Sequence, residues 1–301
     1  MEVNVECVPC ILNVRSREVL MRYSGTDRRA VEFMLELARK FYKYVDSGNL
    51  NVTYIATELF RDVKKFLNDP DPYKEIKHEA NRNGMRLYSE LKEVMSSLSP
   101  RDKLIIAAKT ALLGNSIDLG VSGYEPPDTR ELASMVSEVE VVGISEIEVL
   151  EDVSGKTIIY LLDNCGEAAL DKVLAEELRR RGAHVVAVVK SGSFQNDVTV
   201  SDVSDLQLHE SFDDIIESGT DGSSIFIGEL SSDLRSYLKQ ADLIVSKGMA
   251  HYEYLSDFEV SAGTTVMYML RAKCDPIARN LGVSKNDYVI RRASIDIKKF
   301  I

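Results

Sequence analysis

The sequence has no apolar run long enough to cross a bilayer. Runs such as TIIYLL at 157–162 and VVAVV at 185–189 fall far short of the roughly 20 residues a spanning helix needs. The opening MEVNVECVPC is acidic and has neither the basic nor the long apolar region of a secretory signal, so a cytoplasmic location is the expectation. Four cysteines in 301 residues do not make a disulfide framework, and a reducing compartment would keep them as thiols. Basic clusters are also scarce: Arg179, Arg180 and Arg181 form a short patch at an expected helix end. Acids outnumber bases by 48 to 37, and a formal net charge of -11 opposes a phosphate backbone. Nucleic acid and membrane are therefore not expected partners, and the oligomeric state is left open.

Several familiar loops are missing as well. No G-x-G-x-x-G follows an expected strand, and Gly155-Lys156-Thr157 lacks the upstream glycine of a phosphate loop, which removes dinucleotide and nucleotide-triphosphatase readings. The G-x-S-x-G elbow of hydrolases is absent. Internal repeats and low-complexity tracts are not found.

What is present is a chain with 45% hydrophobic residues, enough for a sizeable core in two units. From about residue 15 to 140 apolar residues recur at three- and four-residue spacing, as in Val31, Met34, Leu35, Ala38 and Phe41, which predicts helices. Ser99 before Pro100 reads as a helix start, Gly114 as a stop, and GYEPPD at 123–128 as a break. Beyond about residue 140, short β-branched runs alternate with helical stretches, the pattern of a parallel sheet with crossover helices. Strands are expected at 157–162, 184–189, 224–227, 242–246, 264–270 and 287–292, with helices at 167–181, around 211–217, 231–240 and 275–281. The expected class is α/β: a helical N-terminal domain at 1–145 and a Rossmann-like α/β/α domain with a mainly parallel sheet at 146–301.

In such sheets ligands bind beyond the carboxyl ends of the strands. Three strand ends carry polar residues there: Asp163-Asn164-Cys165-Gly166-Glu167; Lys190 followed by Asn196-Asp197-Val198-Thr199; and Ser246-Lys247-Gly248. Asp163 and Asp197 are about one βαβ unit apart, so both carboxylates can converge on one crevice. Two carboxylates with an amide carbonyl form an all-oxygen site suited to a cation such as Mg²⁺ or Mn²⁺; the alternative is that both acids cap helices or turns. Lys247-Gly248 fits anion binding, or else a solvated lysine beside a turn glycine. Arg271 and Lys273 are either further positive charge for the site or surface residues. Asn115 and Asp118 are either a cleft wall or a helix-terminating turn. Cys7 and Cys10 form one C-x-x-C pair, open between half a zinc site, a redox pair and a structural role. The four histidines, His78, His184, His209 and His251, show no metal-ligand spacing.

The segments CVPC at 7–10, GNSID at 114–118, DNCGE at 163–167, NDVT at 196–199 and SKGMAHYEYL at 246–255, in this order, resemble the damage-control phosphatases. That family was once known only as a domain of unknown function and also holds acidic-residue methyltransferase-like proteins. The C-x-x-C and the DNCGE form resemble its archaeal and bacterial subfamily. The resemblance implies a metal-dependent phosphatase, active with Mn²⁺ or Ni²⁺, or with Co²⁺ or Mg²⁺, on phosphate monoesters of damaged or surplus metabolites. Sugar phosphates, phosphopantetheine derivatives and oxidised nucleotides all fit. By motif match Asp163, Asn164 and Asp197 would be the metal ligands and the catalytic set. Substrate contacts would fall on Glu167, Ser246, Lys247, Gly248 and Lys273, with Asn115 and Asp118 at the cleft. His251 stands where relatives usually have asparagine, which bears on substrate preference. The competing readings are an S-adenosylmethionine-dependent carboxyl methyltransferase and a non-catalytic metal- or phosphometabolite-binding module.

Overall fold

The computed structural model describes residues 1–48, 50–95, 99–114 and 129–301. Six helices come first: α1 (Cys7–Leu20), α2 (Arg28–Asp46), α3 (Val52–Leu67), α4 (Lys74–Met95), α5 (Pro100–Gly114) and α6 (Thr129–Glu138). The short β1 (Val141–Val142) precedes β2 (Thr157–Leu161), α7 (Glu167–Arg180), β3 (His184–Val189), β4 (Asp214–Glu217) and α8 (Ser232–Leu238). The chain ends with β5 (Leu243–Lys247), α9 (Gly248–Leu255), β6 (Glu259–Arg271), α10 (Asp275–Leu281) and β7 (Tyr288–Ile295). Among the described residues no helix is long and apolar enough to cross a membrane.

The sheet order is β1-β7-β6-β5-β2-β3-β4. All neighbouring pairs are parallel except β6 and β7. Side chains alternate across its two faces, as the period of a strand requires. Ile158, Tyr160, Val185, Ala187, Val245 and Met267 face one layer, with α4, α5 and α7. Ile159, Leu161, Val186, Ile244, Val266 and Tyr268 face the other, with α8, α9 and α10. Both faces are covered, so the central strands read as continuous apolar runs. A third cluster joins α1, α2 and α3 through Ile11, Leu37, Phe41, Leu59 and Phe60, and Phe194 from the loop after β3 inserts into it. Each fully buried aliphatic or phenyl side chain contributes about 1.5–3 kcal/mol relative to exposure.

Two expected elements are corrected. The helix expected around 211–217 is instead strand β4, whose residues Asp214–Glu217 pair in parallel with Val186–Val189. The segment D-I-I-E has no alternation of its own, and its conformation comes from a place at the sheet edge. The strand expected at 224–227 is an irregular crossing segment. Its apolar character serves packing: Phe226 meets Tyr54 and Tyr254 edge-on, at ring separations of 5.8 and 4.9 Å.

Candidate active site

The site forms where β2, β3 and β5 end. After β3 the chain turns back, and residues 196–198 lie against the end of β2. Val198 N–H donates to the Asp163 carbonyl at 2.9 Å, and Cys165 N–H donates to the Asn196 carbonyl at 2.8 Å. Asn164 and Asp197 thereby form an antiparallel bridge, which brings the two acids expected to converge into one buried place. Gly166, with φ of 77°, turns the chain from this bridge into α7.

The third strand end closes the site through a glycine. Gly248 has φ of 73°, and a Cβ there would lie 1.9 Å from Asp163 Oδ2. Only glycine permits this approach. It sets the first turn of α9 against the Asp163 carboxylate, and the opening N–H groups of a helix have no partner within it. Asn164 spends its amide nitrogen on two acids, donating to Asp163 Oδ2 at 2.8 Å and to Glu167 Oε2 at 3.0 Å.

Lys247 lies beneath. It is fully buried, with Nζ 2.6 Å from both Glu167 Oε1 and Asp171 Oδ1, and it donates to the Ala111 carbonyl of α5 at 2.8 Å. Burial opposes its charge, but Asp171 and Glu167 outweigh burial and raise its pKa. The reading of Lys247 as a solvated lysine beside a turn is thus excluded, and its point charge is committed to two internal carboxylates.

Burial pushes Asp163 up to about 6, with Glu167 adding to the shift and Lys273, Lys190 and Lys247 opposing it. Burial likewise raises Asp197, against Lys190, and raises Asp171 to about 7, against Lys247. Lys190 is lowered by burial, against the pull of Asp197 and Asp163. Its Nζ stands 3.7 Å from Asp197 Oδ2, beyond hydrogen-bond length. Both atoms are buried without a hydrogen-bond partner among the described residues, as is Ser246 Oγ. With every group ionised, the carboxylates Asp163, Glu167, Asp171 and Asp197 outnumber the ammonium groups Lys190 and Lys247 by two.

Asp163, Asn164, Glu167, Asp197, Ser246, Lys247 and Gly248 are therefore brought together. Lys273 follows β6 and is exposed, and its charge acts on the Asp163 carboxyl. Asn115 and Asp118 lie outside the described residues; Gly114, just before them, abuts Glu167, whose Cγ would be 3.2 Å from an added Cβ. His251 is buried, with Nδ1 3.0 Å from Ser224 Oγ, and burial pushes its pKa down. Cys7 is half-buried and Cys10 exposed. Among the described residues no set of three or more His, Cys, Asp or Glu is arranged to hold a metal ion.

Sequence reasoning missed Asp171 and the contribution of α4. Asp171 follows Glu167 by four residues on α7, so the shared helix face was available as a signal. Lys77 of α4 reaches Asp202 Oδ2 at 2.9 Å, Asp71 Oδ2 at 3.0 Å and Thr199 Oγ1 at 3.1 Å. Asn81 accepts from Gly166 N–H at 3.0 Å and donates to Asp202 Oδ1 at 3.3 Å. One helix thus holds both loops that carry the acids.

Residues 3–289 match the family model described as the damage-control phosphatase ARMT1-like domain. The chain is 30% identical over 294 residues to a damage-control phosphatase from Archaeoglobus fulgidus, covering 97% of this chain and 99% of that one. It is 29% identical over 296 residues to a damage-control phosphatase from Pyrococcus horikoshii, covering 97% and 98%. A solved structure of a DUF89 family protein from Pyrococcus horikoshii superposes with a TM-score of 0.82 at 27% identity, covering 97% of this chain and 99% of that one.

Proposed function

This chain belongs to the damage-control phosphatase ARMT1-like family, and we propose that it hydrolyses phosphate monoesters of damaged or surplus small metabolites with the help of a divalent cation. The observation that carries this reading is the bridge between Asn164 and Asp197, which holds two buried carboxylates together in a site where buried carboxyl groups outnumber buried lysines by four to two. A divalent cation would offset that excess and give the orphaned Asp197 Oδ2 a partner. Asp163 and Asp197 would hold it, with the amide oxygen of Asn164, whose nitrogen is already engaged. These are oxygen donors, suited to Mg²⁺ or Mn²⁺ and acceptable to Co²⁺ or Ni²⁺. A bound cation supplies positive charge that polarises a phosphoryl oxygen.

The chain's own groups do the rest. α9 begins at Gly248 against the Asp163 carboxylate, and its opening backbone N–H groups could take phosphate oxygens. The exposed Lys273 draws an anionic substrate toward the mouth. Lys247 acts through others: it fixes Glu167 and Asp171, and Glu167 in turn orients Asn164. The nucleophile is water, and rapid-quench trapping of an aspartyl-phosphate would replace it with a carboxylate.

The test is phosphate release by metal-stripped protein from an aryl phosphate and from sugar phosphates, phosphopantetheine derivatives and oxidised nucleotides. Mn²⁺, Ni²⁺, Co²⁺ or Mg²⁺ is added singly. Activity should return with at least one cation and fall by about 100-fold or more in Asp163→Asn. Release that ignores both the cation and the substitution overturns the reading.

A further inference from the structure

Beside the site lies a cavity of about 260 Å³ between α1, α3, the turn at Phe194–Gln195 and the start of α9. Its sheet-side walls come from segments that follow β3, β4, β5 and β6, the end of the sheet where ligands bind. Gln195 lies two residues before Asp197, and Met249 follows the Gly248 that touches Asp163. The cavity is therefore walled by near chain neighbours of Asp197 and Gly248.

Its surface is mainly apolar, formed by Ile11, Val14, Val52, Ala56, Phe194 and Met249. The charged groups around it are largely paired with one another, although Arg15 Nε and Glu18 Oε2 have no hydrogen-bond partner among the described residues. Arg15 is buried and pairs with Glu18 at 3.1 Å, and its guanidinium lies over the Phe60 ring at 4.9 Å. Glu18 also accepts from Tyr73 at 3.1 Å and from Gln195 at 2.9 Å. Glu6 turns to the rim and pairs with Arg279 at 2.9 Å. Burial raises Glu253 to about 7, with the N-terminal ammonium opposing, so the carboxyl there resists ionisation. Gln195 sits in the left-handed region with φ of 44°, a strained backbone of the kind found at ligand sites.

We infer that this cavity is the leaving-group subsite and that it selects phosphate monoesters of compact, uncharged, largely apolar alcohols or phenols over those of polyhydroxylated sugars. The inference rests on the phosphatase reading above. A hexose would bury hydroxyls against Val14, Ala56 and Met249 with few partners, and each unpaired hydroxyl weakens binding by roughly tenfold. At about 260 Å³ the cavity falls just below the roughly 300 to 1,000 Å³ of ligand pockets, which limits it to a single ring or short branched chain.

The experiment is calorimetric binding in the presence of Mn²⁺, using phenylphosphonate, glucose 6-phosphate and inorganic phosphate on the full chain. It is repeated on Ala56→Phe and Val14→Phe, which fill the cavity from α3 and α1 without touching the acids. Phenylphosphonate should bind at least tenfold more tightly than glucose 6-phosphate. Both variants should lose that preference while inorganic phosphate affinity stays within about twofold. Equal or tighter binding of the sugar phosphate overturns the inference, as does a preference that survives both fillings. Selective binding without turnover of any ester would sink the phosphatase reading and leave the subsite standing.

Discussion

A buried lysine with two carboxylates at 2.6 Å is an internal charge cluster before it is anything else. Removing Lys247 strands Glu167 and Asp171 in a place where burial already lifts Asp171 to about 7. Lys247→Met should therefore cost on the order of 3–5 kcal/mol in urea unfolding near pH 8. The sign with pH follows from linkage. Asp171 already has a folded pKa above its unfolded one, and losing the lysine raises it further, so its carboxyl is tolerated when protonated and the penalty grows as pH rises through the folded pKa. The deficit should be much smaller at pH 5. A lysine whose role was only to touch phosphate would instead raise KM and leave the urea midpoint unmoved. Gly248 supports a sharper comparison, because Gly155 has nearly the same φ, 74°, with nothing within 4 Å of an added Cβ. Gly155→Ala carries backbone strain alone, about 1–3 kcal/mol, and should keep its activity. Gly248→Ala carries the same strain and a collision with Asp163, so phosphate release should fall by about 100-fold or more. Thermal melts and initial rates on the pair separate the two effects.

At the scale of elements, α4 clamps the two loops that present the acids. Gly84 lets it come close, since a Cβ there would stand 2.4 Å from the Gly166 carbonyl oxygen. Asn81→Ala takes away the acceptor for Gly166 N–H and leaves the acids themselves in place. If the proposed cation sits on these acids, a partner behind its ligands changes affinity by about 10–100-fold, so Mn²⁺ titration of the activity should shift by that amount while the far-ultraviolet spectrum is unchanged. An unshifted titration would show that α4 is only packing. Nothing in the sequence marks Lys77, Asn81 and Gly84, because the polar side of a helix reads the same whether it meets water or a loop. The strand ends were legible for the opposite reason: β2, β3 and β5 are continuous apolar runs, and the residues that stop them stand out as polar. β4 was not legible, because its conformation is imposed by Val186–Val189 and not by its own residues. The convergence of Asp163 and Asp197 was readable from spacing, whereas the bridge that locks them together required the return of residues 196–199.

At the scale of the whole molecule, the change of period near residue 140 does not coincide with a gap in packing. Leu87, Leu91, Leu104, Ala108 and Leu112 share one core with Ala169, Leu170, Val173 and Leu174 of α7 and with the sheet. A cut at 145/146 would strip α4 and α5 from α7, which is buried along nearly its full length, including Asp171 and Lys172. It would also remove the Ala111 carbonyl from Lys247 and Asn81 from Gly166. The first three helices are different, since their apolar core is largely their own; they meet the rest through Phe194, through Tyr54 against Phe226, and through Arg61 paired with Asp221 and Glu229. We therefore expect residues 146–301 alone to unfold without a cooperative urea transition and to bind a hydrophobic dye, the behaviour of a core with one layer missing. Residues 70–301 should keep a cooperative transition at a lower midpoint, because they retain both layers over the sheet and lose only the α1–α3 cap. A sharp two-state transition for 146–301, with near-ultraviolet circular dichroism resembling that of the full chain, would establish instead that the α/β half folds alone and that α4–α6 dock on it afterwards.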